Sequence, residues 1–417
     1  MRSLSIALAG AGPAGLAAAL LIARGGHRVT VFERFAAPKP LGSGLILQPT
    51  GLSVLAALGL QDEIVALGSR IDRLKGADAK SGRTVLDVRY DALAGGRFGL
   101  AVHRAALFGV LHRGVLAAGI AIETGFEVEA MEAGDKPALV AKGGRRAGPF
   151  DLVIDASGTR SRLRVHARRP AEPRPLAYGA FWASLEWRGE GFDPHALLQR
   201  YRRASVMIGL LPIGRVGPGA PDQAAFFWSL KPDEAERVKA AGLTAWKDEV
   251  AGHWLEVSAY LDQIGSFDDL TLARYGHHTL RYPAGRAIAF IGDSAHSTSP
   301  QLGQGANMAL LDALALARAL EISPDIETAL AAYCRMRRLH VRLFQSLSRL
   351  FTPFYQSDSL LLPFLRDTLV ATVARIPPAP QVLAAMVAGM IVDPFAAIGQ
   401  AEASATAFPA QPEAAEG

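Results

Sequence analysis

Residues 4–15 read LSIALAGAGPAG, and this stretch decides the fold. Leu4–Ala9 is a short apolar run of strand type ended by glycine, and Pro13–Arg24 is an Ala/Leu-rich helix closed by Gly25-Gly26. Between them, Gly10-Ala11-Gly12-Pro13-Ala14-Gly15 has the G-x-G-x-x-G spacing. The first glycine permits a tight turn, the second lets backbone approach a pyrophosphate, and the third lets helix and strand pack closely. The helix start presents free N–H groups and the positive end of its dipole to a phosphate. Val29–Phe32, β-branched and aromatic, reads as a second buried strand, which completes a βαβ unit of about thirty residues. Glu33 follows that strand, where a carboxylate can accept both ribose hydroxyls of an adenosine and repels a 2′-phosphate, so NADP is disfavoured at this site. Arg34 beside it belongs to the same candidate set. The fingerprint alone does not separate FAD from NAD.

The chain around this unit has 417 residues, more than one typical domain, and half of them are hydrophobic, a globular profile. Cys334 is the only cysteine, which excludes an intrachain disulfide and points to the cytoplasm. The scattered His, Asp and Glu residues show no metal-ligand spacing, so no metal is expected. The formal charge of +5 is diffuse: the densest basic run, Arg160–Arg169, is broken by Leu163, Val165 and His166. No nucleic-acid partner is expected. Arg2 and the apolar residues 4–23 have the outline of a secretion signal, but the three glycines, Pro13 and the strand that follows argue against one. No later apolar stretch has the length of a membrane span; Val382–Val392 is about half of it.

Val102–Gly119 reads as the approach to a helix and the helix itself, Ala121–Ala130 as a strand, and Asp151–Asp155 as a buried strand. From Leu176 to Leu272 short aromatic and β-branched runs (Tyr178–Trp187, Val206–Leu211, Ala224–Leu230) alternate with turn residues, the pattern of a mostly antiparallel sheet. Ala287–Ile291 is again a buried strand, followed by a long helical region to about Ile391. The expected class is α/β, a Rossmann-like FAD-binding domain interleaved with a smaller, mostly antiparallel substrate sheet and a helical C-terminal region. The expected boundaries are 1–75, 101–175 and 273–356 for the first domain, 76–100 and 176–272 for the sheet domain, and 357–395 for the C-terminal helices. Residues 396–417, rich in Ala, Pro and Glu, are expected to form a disordered tail.

Two later segments point to FAD. Phe290-Ile291-Gly292-Asp293-Ser294-Ala295-His296 follows a buried strand, and Pro300-Gln301-Leu302-Gly303-Gln304-Gly305-Ala306-Asn307 opens an amphipathic helix. Asp293 can bond the hydroxyls of a ribityl chain. Gly303 and Gly305 allow backbone N–H groups to face a flavin's pyrimidine edge, and the helix dipole stabilises negative charge on the reduced ring. With GAGPAG at 10–15, Glu33, this GD segment and DASGTRSRLR at 155–164, the chain resembles the flavoprotein monooxygenases of the p-hydroxybenzoate hydroxylase fold. Arg104, Leu107 and Leu111 match that family's R-x-x-L-x-x-x-L helix start, whose arginine lies against FAD in relatives.

The resemblance implies one FAD, NADH or NADPH as co-substrate, and hydroxylation of a small aromatic (phenolic or polycyclic) substrate with O2 through a flavin C4a-hydroperoxide. The cofactor candidates are Gly10, Gly12, Pro13, Ala14, Gly15, Glu33, Arg34, Arg104, Gly158, Asp293, Gly303, Gly305, Ala306 and Asn307. Pro300 and His296 are the catalytic candidates; His277 and His278 are further candidate bases. Phe181 and Phe227 are the candidate substrate contacts, with Phe226 and Trp228 beside them. One departure stands out: Ser157-Gly158 replaces the usual Asp-Gly, with Asp155 two residues earlier. Within the same fold a ubiquinone-pathway hydroxylase, a halogenase or an isoprenoid reductase are the alternatives, and a non-catalytic flavin-binding protein is the reading from another class. The tryptophans lack the W-x-W-x-I-P spacing of halogenases.

Overall fold

The computed structural model describes residues 2–37, 42–370, 373, 374 and 376–402. Ser5–Ala9 is central in a six-stranded sheet. Leu152–Asp155 and Arg28–Phe32 flank it in parallel, Ile288–Phe290 and Ala121–Glu123 lie outside them, and Ala284–Gly285 closes one edge antiparallel. One face of this sheet (Ile6, Leu8, Val31, Ile154) packs on helices and the other (Ala7, Phe32, Val153, Phe290) on Met131, Leu139 and Ala141 of a three-stranded sheet of Val128–Glu132, Ala138–Ala141 and Arg146–Ala147. Both faces are buried, which is why these strands read as continuous apolar runs. From Ser5–Ala9 the chain crosses to Arg28–Phe32 on one side and later enters Leu152–Asp155 on the other. The carboxyl ends of these neighbours thus form the switch point at which such sheets bind ligands.

Pro13–Arg24 and Gly305–Ile322 pack side by side, and the long helix Ile326–Tyr355 lies on the second of them. The two first-named helices start at the same end of the sheet: a Cβ at Gly292 would stand 3.2 Å from the Cβ atoms of both Ala14 and Ala309.

A second sheet has seven strands in the order Thr271–Ala273, Gly179–Glu186, Gln223–Leu230, Val206–Gly214, Ala196–Arg202, Arg73–Asp78 and Thr84–Arg89. Every neighbouring pair is antiparallel except Ala196–Arg202 beside Arg73–Asp78. Phe181, Phe226 and Trp228 on one face are buried under Trp246. The cover consists of helices within 235–261, which the strand-like texture of this region did not announce; they form because an aromatic sheet face must be shielded from water. A small sheet of Gly44–Leu47, Gly99–His103 and Ser69–Ile71 joins the two large ones. Contact there is so close that a Cβ at Gly44 would stand 2.4 Å from Ile213 Cγ2.

Three expected domain boundaries cut strands: 75/76 falls in Arg73–Asp78, 100/101 in Gly99–His103 and 272/273 in Thr271–Ala273. Strand pairing runs on where composition changes. The expected tail also starts too early. Asp393 caps the short helix Pro394–Ile398, Phe395 and Ile398 enter the main core, and Glu402 pairs with Arg97. Residues 403–417 lie outside the described residues. Among those described, no helix is long and apolar enough to cross a membrane.

Candidate functional site

A cavity of about 590 Å³ opens at the switch point. Gly10, Gly12, Pro13, Ala14, Glu33, Arg34, Arg104, Gly158, Asp293, Gly305 and Ala306 all line it. The sequence had scattered these candidates over almost three hundred positions; the parallel sheet and the two adjacent helix starts bring them to one surface. Gly15, Gly303, Asn307, Pro300 and His296 are not part of its lining.

The glycine turn has the shape its spacing implies. Gly10 has φ +108°, and a Cβ there would stand 2.6 Å from the Ala156 carbonyl oxygen. A Cβ at Gly15 would stand 2.0 Å from the Gly10 oxygen, whereas one at Gly12 would meet no protein atom within 4 Å. Gly12 is therefore not required by the protein's own packing. Its bare backbone leaves space on the cavity side, where the helix start offers its unpaired N–H groups. Arg104 and Arg160 also border this space, and among the described residues neither forms an ion pair with a carboxylate. A glycine cradle, a helix start and free guanidinium groups fit a pyrophosphate.

Glu33 is buried at the far end. Its Oε2 accepts from the Ala11 N–H at 2.9 Å and its Oε1 from the Phe35 N–H at 3.0 Å. A carboxylate has about four acceptor positions, so both oxygens retain capacity for a ribose diol. Glu33→Ala is expected to weaken FAD binding about tenfold to hundredfold, the equivalent of roughly 1.5–3 kcal/mol for charge-assisted bonds. Titration with FAD checks this; an unchanged dissociation constant would place the ribose elsewhere.

At the neighbouring strand end, Asp155 is buried. It accepts from the Ser157 N–H at 2.9 Å, from the Ser157 hydroxyl at 2.5 Å and from the Ser161 hydroxyl. Burial pushes its carboxyl up, and these hydroxyls with nearby Arg164 oppose the rise. Ser157 is thus a ligand of Asp155, and an aspartate in its place would set two carboxylates together.

The second turn is built on a network that sequence reading missed. Asp312 accepts from His296 Nε2 (2.6 Å), Arg337 Nε (2.7 Å) and the Gly292 N–H (2.8 Å). Burial works against the Asp312 charge, yet His296 and Arg337 hold its carboxyl down at about 2. The signal was available: a single aspartate within MALLDALALA on a buried helix needs a charged partner. His296, a catalytic candidate, is instead buried with its Nε2 committed to this carboxylate. It anchors the Gly292–Ser294 turn. Asp293 beside it opens on the cavity, with the positive charge of Arg104 bordering the same space.

Asn307 likewise differs from expectation. Its Oδ1 accepts from the Gln48 N–H, and its Nδ2 donates to the carbonyls of Ile46 and Gly303. The side chain ties the small sheet to the turn, which leaves only backbone for a cofactor. Gly303 takes the left-handed φ of +61° that the turn requires. Pro300 starts the turn and is exposed.

Phe181 does not reach the site, because strand alternation puts it on the helix-covered outer face of the large sheet. Phe227 lies on the opposite face, 4.7 Å from the Trp182 ring centroid. Trp182 Nε1 donates to the Tyr275 hydroxyl at 2.8 Å. Burial pushes the Tyr275 phenol up to about 12, with Trp182 and Arg104 opposing. Two residues beyond Trp182, Ser184 Oγ meets His103 Nε2 at 3.2 Å, which brings this face to the start of the Arg104 helix. Phe226 and Trp228 share the outer face with Phe181. His277 accepts from Arg349 Nε at 2.7 Å, and His278 is bonded to Ser297 and the Ser294 carbonyl. Burial lowers both rings to about 4, which keeps them neutral at physiological pH.

A family profile described as an FAD binding domain matches residues 3–343. The 3-amino-4-hydroxybenzoate 2-monooxygenase of Streptomyces cremeus is 33% identical over 339 residues, covering 78% of this chain and 80% of that protein. The 6-hydroxynicotinate 3-monooxygenase of Bordetella bronchiseptica is 27% identical over 334 residues, covering 76% and 82%. Among solved structures, 2-methyl-3-hydroxypyridine-5-carboxylic acid oxygenase superposes with a TM-score of 0.77 at 19% identity, covering 92% of this chain and 96% of that one. Klebsiella pneumoniae HpxO, complexed with FAD and uric acid, gives 0.76 at 20% identity, covering 94% and 98%. With the cavity's donors and the profile over most of its length in agreement, this chain belongs to the FAD-dependent aromatic hydroxylases.

Proposed function

We propose that the chain hydroxylates a small aromatic ring that already carries a hydroxyl or amino group, with FAD held along the cavity and NADH or NADPH as the electron source. The observation that carries this reading is the lining itself: glycine turn, Glu33, Arg104, Asp293 and a second helix start form one continuous surface. The 3-amino-4-hydroxybenzoate and 6-hydroxynicotinate named for relatives support the substrate class. FAD supplies electron transfer and oxygen activation when bound.

The chain's own residues do the rest. Glu33 accepts the adenosine ribose hydroxyls, the helix start at Gly12–Ala14 turns its dipole and free N–H groups to the pyrophosphate, and Arg104 supplies positive charge to it. Asp293 bonds the ribityl chain, and the backbone N–H groups of Gly303–Asn307 receive the ring. The aromatic inner face of the large sheet, Trp182 and Phe227, excludes water and orients the substrate. The region around the glycine turn and Gly305 binds the cofactor, and the seven-stranded sheet covers the substrate. We place the reaction in the cytoplasm, where reduced nicotinamide nucleotides are supplied.

Anaerobic mixing with NADH and NADPH, with and without hydroxylated aromatics, tests the reading. The protein is expected to purify yellow, and flavin bleaching should accelerate by orders of magnitude with the true substrate, because substrate biases the ring between exposed and enclosed positions. Reduction by neither nucleotide, whatever aromatic is present, would point to a separate reductase and overturn the single-component reading.

A further inference from the structure

The turn Gly303–Gly305 is held from the side by the C-terminal end of the helix Ala379–Ala388. Gln304, 1% exposed, donates from Nε2 to the Val387 carbonyl at 2.5 Å. Two residues on, Gly389 caps the helix Ala379–Ala388 with φ +80°, in the left-handed region. Its carbonyl accepts from His340 Nε2 at 3.0 Å, and His340 projects from the long helix Ile326–Tyr355. A Cβ at position 389 would stand 2.9 Å from Thr50 Oγ1 and 3.0 Å from Gln304 Oε1. Thr50 belongs to the helix Pro49–Ala57, and Gln48 just before it donates its N–H to Asn307. Three segments distant in sequence therefore meet at the backbone of Val387–Gly389.

This meeting point is polar where an apolar contact would serve mere packing. Hydrogen bonds are directional, so they set the position of the groups they join as well as their proximity. Burial holds the His340 ring down at about 3, so it donates as a neutral imidazole across the physiological pH range. Hydrophobic contacts surround the polar ones: Leu302 of the same turn packs with Met386, Phe344 and Met308. Neither side chain lines the cavity: that of Gln304 is turned to Val387 and that of His340 to Gly389, so each acts on the turn through the backbone it holds.

We propose that Val387–Gly389 is a positioning element for the flavin-facing turn, in which the Val387 carbonyl sets Gln304 and His340 holds the segment bearing that carbonyl. The proposal rests on the reading that Gly303–Asn307 receives the flavin ring. It extends the FAD site beyond the family profile's match at residues 3–343 to a part of the chain with no cofactor contact of its own.

Four variants of the full-length holoenzyme test it. Gln304→Met removes the donor at similar length, His340→Phe removes the ring's donor, and His340→Gln retains one. Arg97→Gln cuts the ion pair with Glu402, elsewhere in the same C-terminal segment. The readouts are the FAD dissociation constant, the shape of the visible flavin band, the thermal midpoint, and the constant with which ADP competes for the site. ADP probes only the adenosine and pyrophosphate end. Gln304→Met and His340→Phe are expected to weaken FAD about tenfold, as loss of one hydrogen bond near the upper end of its usual range implies. Their flavin band should shift toward that of free FAD while the ADP constant stays at the wild-type value. His340→Gln should recover most of the affinity, and Arg97→Gln should match wild type. A lower thermal midpoint with FAD constant and band unchanged would reduce the segment to a brace and overturn the proposal, as would Arg97→Gln matching Gln304→Met. Wild-type protein that binds no FAD would bring down the functional reading and this proposal with it; FAD-replete wild type with silent variants would bring down this proposal alone.

Discussion

Gly12→Ala and Gly15→Ala should both purify without flavin, for different reasons that can be measured separately. At Gly15 the added methyl would stand 2.0 Å from the Gly10 oxygen and 2.7 Å from Leu8 Cδ2, so the turn must open to admit it. Overpacking of this kind costs about 1–3 kcal/mol of stability, and it dislodges the N–H groups that face the phosphates. At Gly12 the methyl meets no protein atom, and φ is −75°, which alanine adopts freely. Gly12→Ala should therefore unfold at the denaturant midpoint of flavin-free wild type and still lose FAD affinity by more than about a hundredfold, because the methyl occupies the pyrophosphate's place. Visible absorbance and FAD titration read the binding, and denaturant curves read the fold. Wild-type affinity in Gly12→Ala would show that no pyrophosphate lies against this turn.

Arg337→Met should be the most destabilising single change in the second turn. Asp312 is wholly buried, and Arg337, 1% exposed, supplies its nearest permanent charge. Removing one partner of a buried ion pair leaves the other uncompensated, at a cost of about 3–5 kcal/mol. The pH dependence has a definite sign. The folded Asp312 carboxyl titrates at about 2, below the unfolded value of about 3.9. Its stabilisation is therefore complete above the unfolded value and is lost as pH falls through about 2. Without Arg337, burial drives the carboxyl up, and acid unfolding should begin at a higher pH. Denaturant unfolding at neutral and mildly acidic pH measures both effects. Equal midpoints for variant and wild type would mean that His296 and the Gly292 N–H suffice to hold the charge.

The two changes also separate two roles in one site. Gly12 acts on the ligand alone, whereas Arg337 acts on the turn that carries Asp293. If Arg337→Met retains FAD while losing stability, the Asp312 network serves the fold; if flavin is lost first, the network sets the ribityl contact.

Local spacing determined the parts of this protein that depend on neighbours in sequence. The strand, the glycine turn and the helix over residues 4–24, and Glu33 at the end of the next strand, are legible because a phosphate-binding turn constrains φ, ψ and side-chain size within a dozen residues. The second turn at 292–307 is legible for the same reason, as is the alternation of aromatic runs and turns that announces a second sheet. Tertiary structure alone decided which face each aromatic occupies: Phe181 and Phe227 lie one pairing step apart on opposite faces, the first buried under the helices at 235–261 and the second in a separate cluster with Tyr201 and Met207. The same holds for His296 and Asn307, whose residue types suit chemistry but whose atoms are claimed by Asp312, Gln48, Ile46 and Gly303. Hydrogen-bond partners separated by 16 to 261 residues are chosen by packing, and no local pattern records that choice.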